Sequence, residues 1–382
     1  MDENDTLQYL NIVYDLQSDS SEGNCAQYET YTPIRFILIS IATIIALLGT
    51  LANSFLTFLF TAKKNPNTPP TLYPTVLACL DSAICLAYIL LFGVDAFVSY
   101  LKIESLFVMY YIYIIPAFVI SRITQLAIPY MLILATLERL FWAKNSKRNR
   151  LKGLHSSAGR HGTVIVTFMI CSILRLPTAF AIMVEHYPTC PDFFRTMTTG
   201  NREWTSSEVF YIFDFHVMTI AQTLVPFVLL VGLNLIIVQK MISDSSESNV
   251  KEIKEQPPKL DLGSPIRKSS TNLSAALTPL KKMSSSVRSA VFTMAAIVTS
   301  YLVSNILHLI LTVLERSNHP WLQSEEDPLM SSSFHTFFSD AVSFVYMFTS
   351  AIRLLIYYAC NPSIRSDIQD FFMSRREKAV FV

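Results

Sequence analysis

The chain has 382 residues, 51% hydrophobic and only 15% charged, with a formal net charge of +1. That balance leaves no basic surplus for a nucleic-acid partner. The apolar content is high, and it is concentrated in seven stretches, near 33–62, 72–98, 106–142, 162–185, 207–241, 288–315 and 333–360. Each is long enough as a helix to cross ~30 Å of hydrocarbon at about 1.5 Å per residue. The runs are continuous, without the period-two alternation of a transmembrane strand, which excludes a barrel. The expected fold is an all-α membrane protein, a seven-transmembrane helix bundle.

Residues 1–32 form an acidic N-terminal segment with Asp2, Glu3, Asp5, Asp15, Asp19, Glu22 and Glu29, and no Lys or Arg. It contains a glycosylation sequon at Asn4. The bundle spans 33–360. Asp81 interrupts the second apolar run, and Arg353 the seventh. A charge at bilayer depth costs roughly 2.5 to 3.5 kcal/mol even on the mildest scale, so such residues are expected to face the bundle interior and find partners. The third run ends in Glu138 and Arg139, followed by Lys144, Lys147, Arg148, Arg150 and Lys152. Pro226 sits in the middle of the fifth.

Residues 242–287 are rich in Ser, Pro and Lys, lack hydrophobic periodicity and read as a largely disordered loop. Ser264-Pro265 and Thr278-Pro279 there are candidate kinase sites. Basic residues gather after the first, third and fifth spans, which predicts an outside N-terminus and an inside C-terminus. Pro362 opens the tail, 361–382, where Ile364, Ile368, Phe371 and Phe372 recur at helical spacing. That predicts a short amphipathic helix on the cytoplasmic membrane surface.

Several polar groups lie at comparable heights toward the outer ends of the spans. Arg122 and Gln125 are one turn apart on the third span, and Arg122 precedes Arg139 by seventeen residues, about 25 Å. Asp95, Asp214, His216, His308 and Asp340 come from other spans. Together they suggest a polar ligand pocket with both signs of charge. Each alone could equally be a snorkelling side chain or a satisfied core group. Arg175 is ambiguous. The third outer loop reads Glu325-Glu326-Asp327, an acidic rim that would steer a basic ligand. No catalytic, nucleotide or metal constellation appears, so neither an enzyme nor a cofactor is expected.

Several motifs resemble those of the rhodopsin-like G protein-coupled receptors. They are Gly49-Thr-Leu-Ala-Asn53, Leu77-Ala-Cys-Leu-Asp81, Thr136-Leu-Glu138-Arg139-Leu140, Pro226, and Leu354-Leu-Ile-Tyr357-Tyr-Ala-Cys-Asn361. The sixth span, from Tyr301 to Glu315, is most similar to invertebrate FMRFamide-type neuropeptide receptors. The resemblance implies a multi-pass receptor of the plasma membrane. An extracellular peptide, short, basic and amidated, would bind in the outer half and activate a heterotrimeric G protein. Kinases and arrestin would act at the third cytoplasmic loop. Asn53, Asp81, Glu138, Arg139, Pro226, Arg353 and Tyr357 would form the activation switch, with Arg139 released from Glu138 on activation. Alternatives are a chemosensory receptor for small molecules and, in another class, a seven-span transporter or channel.

The departures from that family are as informative. The family's bridge from span three cannot form, because no Cys occurs between Cys85 and Cys171. Cys190 then has only Cys25 outside the membrane, and a Cys25–Cys190 disulfide tying the N-terminal segment over the pocket mouth is expected, the alternative being two free thiols. Ser121 stands where amine receptors carry an Asp, and the seventh span lacks a retinal-binding Lys. Ile128, Ser304 and Arg353 occupy positions that help hold sodium in many members. Arg353 is therefore expected to replace the ion and pair with Asp81.

Overall fold

The computed structural model describes residues 25, 31–62, 71–144, 156–237, 239, 285–317, 320–322 and 332–380. Asn4, the phosphorylation candidates of the long loop and the acidic run Glu325-Glu326-Asp327 lie outside the described residues. The elements are α1 (Pro33–Ala62), α2 (Leu72–Leu101), α3 (Glu104–Lys144) and α4 (Ser157–Ala181). A hairpin follows, β1 (Ile182–His186) and β2 (Met197–Asn201). Next come α5 (208–237), α6 (Ser285–Arg316), α7 (Ser333–Ala351), α8 (Arg353–Cys360) and α9 (Pro362–Val380).

Six helices are long and apolar enough to cross a membrane, and α7 with α8 makes a seventh if that bent pair is counted as one span. Ile44, Leu48, Leu51 and Phe58 of α1 and Ile165, Met169 and Ile173 of α4 are each more than half exposed. A sheath of that kind needs lipid to cover it. The chain is an all-α membrane protein. Its core gathers Leu77 and Ala78 of α2, Leu126, Met131 and Leu132 of α3, Leu230 of α5 and Ile297 and Val298 of α6.

Helix starts follow side-chain chemistry. Ser156, Ser207 and Ser332 each accept a backbone N–H three residues on, which caps α4, α5 and α7. Asn361 does the same for α9, accepting from Ser363 and Ile364, with Pro362 at the first helical position. Phe371 of α9 packs its ring on Phe55 and Phe58 of α1, and Ile364 is buried.

Two elements differ from the sequence reading. The fourth apolar run does not stay helical to 185. From Ile182 it becomes β1, paired antiparallel with β2 in the register Ile182↔Asn201 to His186↔Met197. The consecutive apolar residues Ile182-Met-Val suit either state, and an available partner strand decides. The seventh run is not straight but bends by 41° between Ala351 and Arg353.

Glycine sets one close approach. A Cβ on Gly49 would lie 2.6 Å from the Cβ of Ala351 and 2.9 Å from the Sγ of Cys85. Only a bare Cα lets α1, α2 and α7 meet there. Gly162 of α4 has open space around it. Gly49→Ala is expected to lower stability in detergent by about 1–3 kcal/mol through overpacking. Gly162→Ala should be neutral or gain up to ~1 kcal/mol of helix propensity. Equal thermal midpoints for the two variants would contradict the close packing at Gly49.

Candidate functional site

A cavity of about 820 Å³ lies between the helices and the hairpin, lined by residues of α2, α3, α4, α5, α6, α7 and both strands. Of the predicted pocket residues, Arg122, Gln125, Asp214 and His308 line it. Gln125 Nε2 donates to Ser121 Oγ at 3.3 Å, and the backbone carbonyl of Gln125 accepts from the Tyr346 hydroxyl at 3.4 Å. The guanidinium of Arg122 stands over the ring of Phe118, 4.8 Å from its centroid. His308 Nδ1 lies 3.4 Å from Thr312 Oγ1.

Asp95, Asp340 and His216 are not among the lining residues. Asp95 accepts a hydrogen bond of 2.8 Å from the Tyr31 hydroxyl, and Asp340 pairs with Arg35 at 2.7 Å. Arg35 also sits 4.3 Å over the Tyr31 ring. These two carboxylates hold the entry to α1 against α2 and α7. Burial first, and then the Asp95 carboxylate, raises the Tyr31 hydroxyl above its ordinary range, so it stays a donor. His216 packs edge-on against Tyr211. A disulfide joins Cys25 to Cys190, with Cα atoms 5.2 Å apart. It ties the segment before α1 to the loop that follows β1.

Two charged lining residues are not assigned to the pocket from the sequence: Arg175, which is ambiguous there, and Glu315. Arg175 Nη1 lies 3.7 Å from Asp214, and its other terminal nitrogen donates to Gln222. Glu315 is 3.2 Å from His335 Nε2. Irregular helix explains how Gln222 and its neighbours reach the cavity. Pro226 cannot donate to the backbone and crowds the carbonyl four residues back. The chain widens to π-type turns at Ile212–Val217 and Ile220–Leu224, which rotate Gln222 and Thr223 to the cavity wall. The Tyr130 hydroxyl takes the Ala221 carbonyl there at 2.8 Å. α2 does likewise at Ile89–Gly93, where Tyr113 donates to the Leu90 carbonyl at 3.0 Å.

Beneath the cavity, Arg353 Nη1 pairs with Asp81 Oδ2, the residues 1% and 0% exposed. Asn53 Nδ2 donates to the Gly49 carbonyl at 3.0 Å and to Ser350's at 2.9 Å. The second is a carbonyl beside the bend, which Asn53 satisfies from α1. Further along, Tyr357 is buried against Phe60, ring centroids 5.2 Å apart, its hydroxyl without a hydrogen-bond partner among the described residues. Glu138 and Arg139 are buried on α3. Arg160 of α4 reaches to 3.8 Å from Glu138, a partner not visible in the sequence.

Against known proteins, no family model and no curated sequence matches this chain.

The buried pair makes a strong stability test. Removing one partner leaves the other charge uncompensated, at about 3–5 kcal/mol. Asp81→Asn and Arg353→Leu are each expected to lower stability in detergent by that order, and the charge-free double variant to recover part of the loss. Strictly additive losses in the double-mutant cycle would show that the charges act separately.

Proposed function

We propose that the chain is a rhodopsin-like G protein-coupled receptor of the plasma membrane, with seven spans and its N-terminus outside. It takes a short extracellular peptide into the cavity and signals to a heterotrimeric G protein. The observation that carries this reading is one arrangement with two ends. A cavity lined by charged and aromatic side chains opens under a disulfide-tied hairpin. The same α3 that supplies Arg122 buries Glu138 and Arg139 at its other end. The motif resemblance supports it independently.

The mechanism is differential binding. A ligand shifts the helices only as far as it prefers one arrangement over the other. Contacts to Arg175, Asp214 and Gln222 bear on the wide turns of α5, where the helix already departs from regular geometry. Movement there and in α6 would open the far end. It would free Arg139 from the Glu138 and Arg160 cluster, and the unpartnered Tyr357 hydroxyl would gain a partner.

A screen of short peptides, both amidated and with a free C-terminus, on cells expressing the full chain with a promiscuous G protein tests the reading. A dose-dependent response is expected, lost in Arg139→Ala at equal surface expression. A response that persists without the G protein, as ligand-evoked current or uptake, contradicts it.

The internal cation gives a second expectation. With Arg353 on Asp81, agonist affinity should be the same in sodium and in a matched salt of a larger cation. A sodium-specific change in affinity would show that an ion, not Arg353, answers Asp81.

A further inference from the structure

Five side chains with charge or imidazole chemistry line the cavity: Arg122, Arg175, His308, Asp214 and Glu315. Four have partners. Arg175 holds Asp214 and Gln222, Glu315 meets His335, and His308 faces Thr312. Arg122 is different. Among the described residues its guanidinium has no hydrogen bond and no ion pair within 4 Å, only the ring of Phe118. Both carboxylates of the cavity have nearer partners, Asp214 in Arg175 and Glu315 in His335, and act on Arg122 only through space, leaving its N–H donors without an acceptor among the described residues.

Arg stays charged under all ordinary conditions and offers five donors in a planar fork. A cation–π contact is worth about 0.5–2 kcal/mol, and it satisfies none of those donors. At membrane depth an unanswered guanidinium is costly. What fits a guanidinium fork lying on an aromatic ring is a planar anion that accepts two parallel N–H bonds. Tyr88, Phe92, Tyr301 and Tyr346 line the same cavity and would cover an apolar group beside that anion.

We infer that the ligand presents a carboxylate to Arg122, next to an aromatic or large apolar residue. This rests on reading the cavity as a peptide site, and it departs from the amidated end expected of FMRFamide-type ligands. A free C-terminus supplies such a carboxylate, and so does an acidic side chain at the end of an amidated peptide.

The test uses the purified full chain in micelles and three pools of aromatic-containing tetrapeptides. One pool ends in a free carboxylate, one in an amide, and one in an amide preceded by Glu. Retained peptides are quantified by mass spectrometry on the wild type, Arg122→Gln and Arg122→Lys. The free-acid pool should be retained about tenfold or more over the plain amide pool, the scale of a charge-assisted hydrogen bond. Arg122→Gln should erase the difference, and Arg122→Lys, which keeps the charge but not the fork, should keep part of it. Retention of the Glu-amide pool at the free-acid level assigns the carboxylate to a side chain and supports the inference. Equal retention of acid and plain amide, retention of no pool above empty micelles, or an acid preference unchanged in Arg122→Gln overturns it. No G protein enters this measurement. Acid preference in a chain that never activates one would therefore end the signalling reading and leave the carboxylate site standing.

Discussion

The pairing of Arg353 with Asp81 is the constraint around which the bundle is arranged. Neither charge is tolerable alone at that depth, and neither can reach water. The residues beside the pair repeat the same meeting of helices. Gly49 and Asn53 lie one turn apart on α1, and Asp81 and Cys85 one turn apart on α2. Gly49, Asn53 and Asp81 face the stretch of α7 and α8 from Ser350 to Arg353, through packing, a hydrogen bond and a salt bridge respectively, and Cys85 packs against Gly49 beside them. The bend in the seventh run falls within this stretch. An interrupted helix exposes carbonyls that hydrocarbon cannot satisfy. The structure breaks the helix where an amide from α1 is at hand to accept that role.

The same logic recurs higher in the bundle. α2 and α5 both widen beside the cavity, and a tyrosine of α3 donates to a carbonyl in each widened stretch. α3 therefore serves as a post against which two irregular helices are fixed. Irregularity turns side chains such as Gln222 and Thr223 toward the cavity, while the tyrosines limit its energetic cost. A cavity with polar walls inside an apolar bundle needs such a device. Regular helices carrying this many apolar residues would present few polar groups to one another.

The helices themselves were legible in the sequence, because membrane thickness imposes length and hydropathy at once. The Asp81 and Arg353 pairing was also legible, since two opposite charges of comparable depth have few other solutions. Asp95 and Asp340 were not. Their height suggested the cavity, but their partners Tyr31 and Arg35 sit at the very start of α1, and contacts separated by 64 and 305 residues leave no local trace. Arg175 was ambiguous for a related reason. Its meaning depends on the widened turn of α5, and a proline marks a defect without fixing which residues rotate inward. Glu315 and Arg160 carry no sequence signal of their own, because a charge near a helix end is commonplace until the fold supplies its opposite number, His335 for one and Glu138 for the other.

The bridge between Cys25 and Cys190 also acts as a leash of fixed length. Tyr31 is fastened to Asp95 and Arg35 to Asp340, so the start of α1 is anchored on α2 and α7. Only six peptide steps separate Cys25 from Tyr31, a reach of no more than about 22 Å at ~3.3–3.6 Å per residue. With the 5.2 Å between the bridged Cα atoms added, Cys190 cannot swing farther than about 27 Å from the head of α1 while these contacts hold. The head of α1 and the loop between β1 and β2 are thus one tethered pair, and a large displacement of either must carry the other with it or break the contacts of Tyr31 and Arg35.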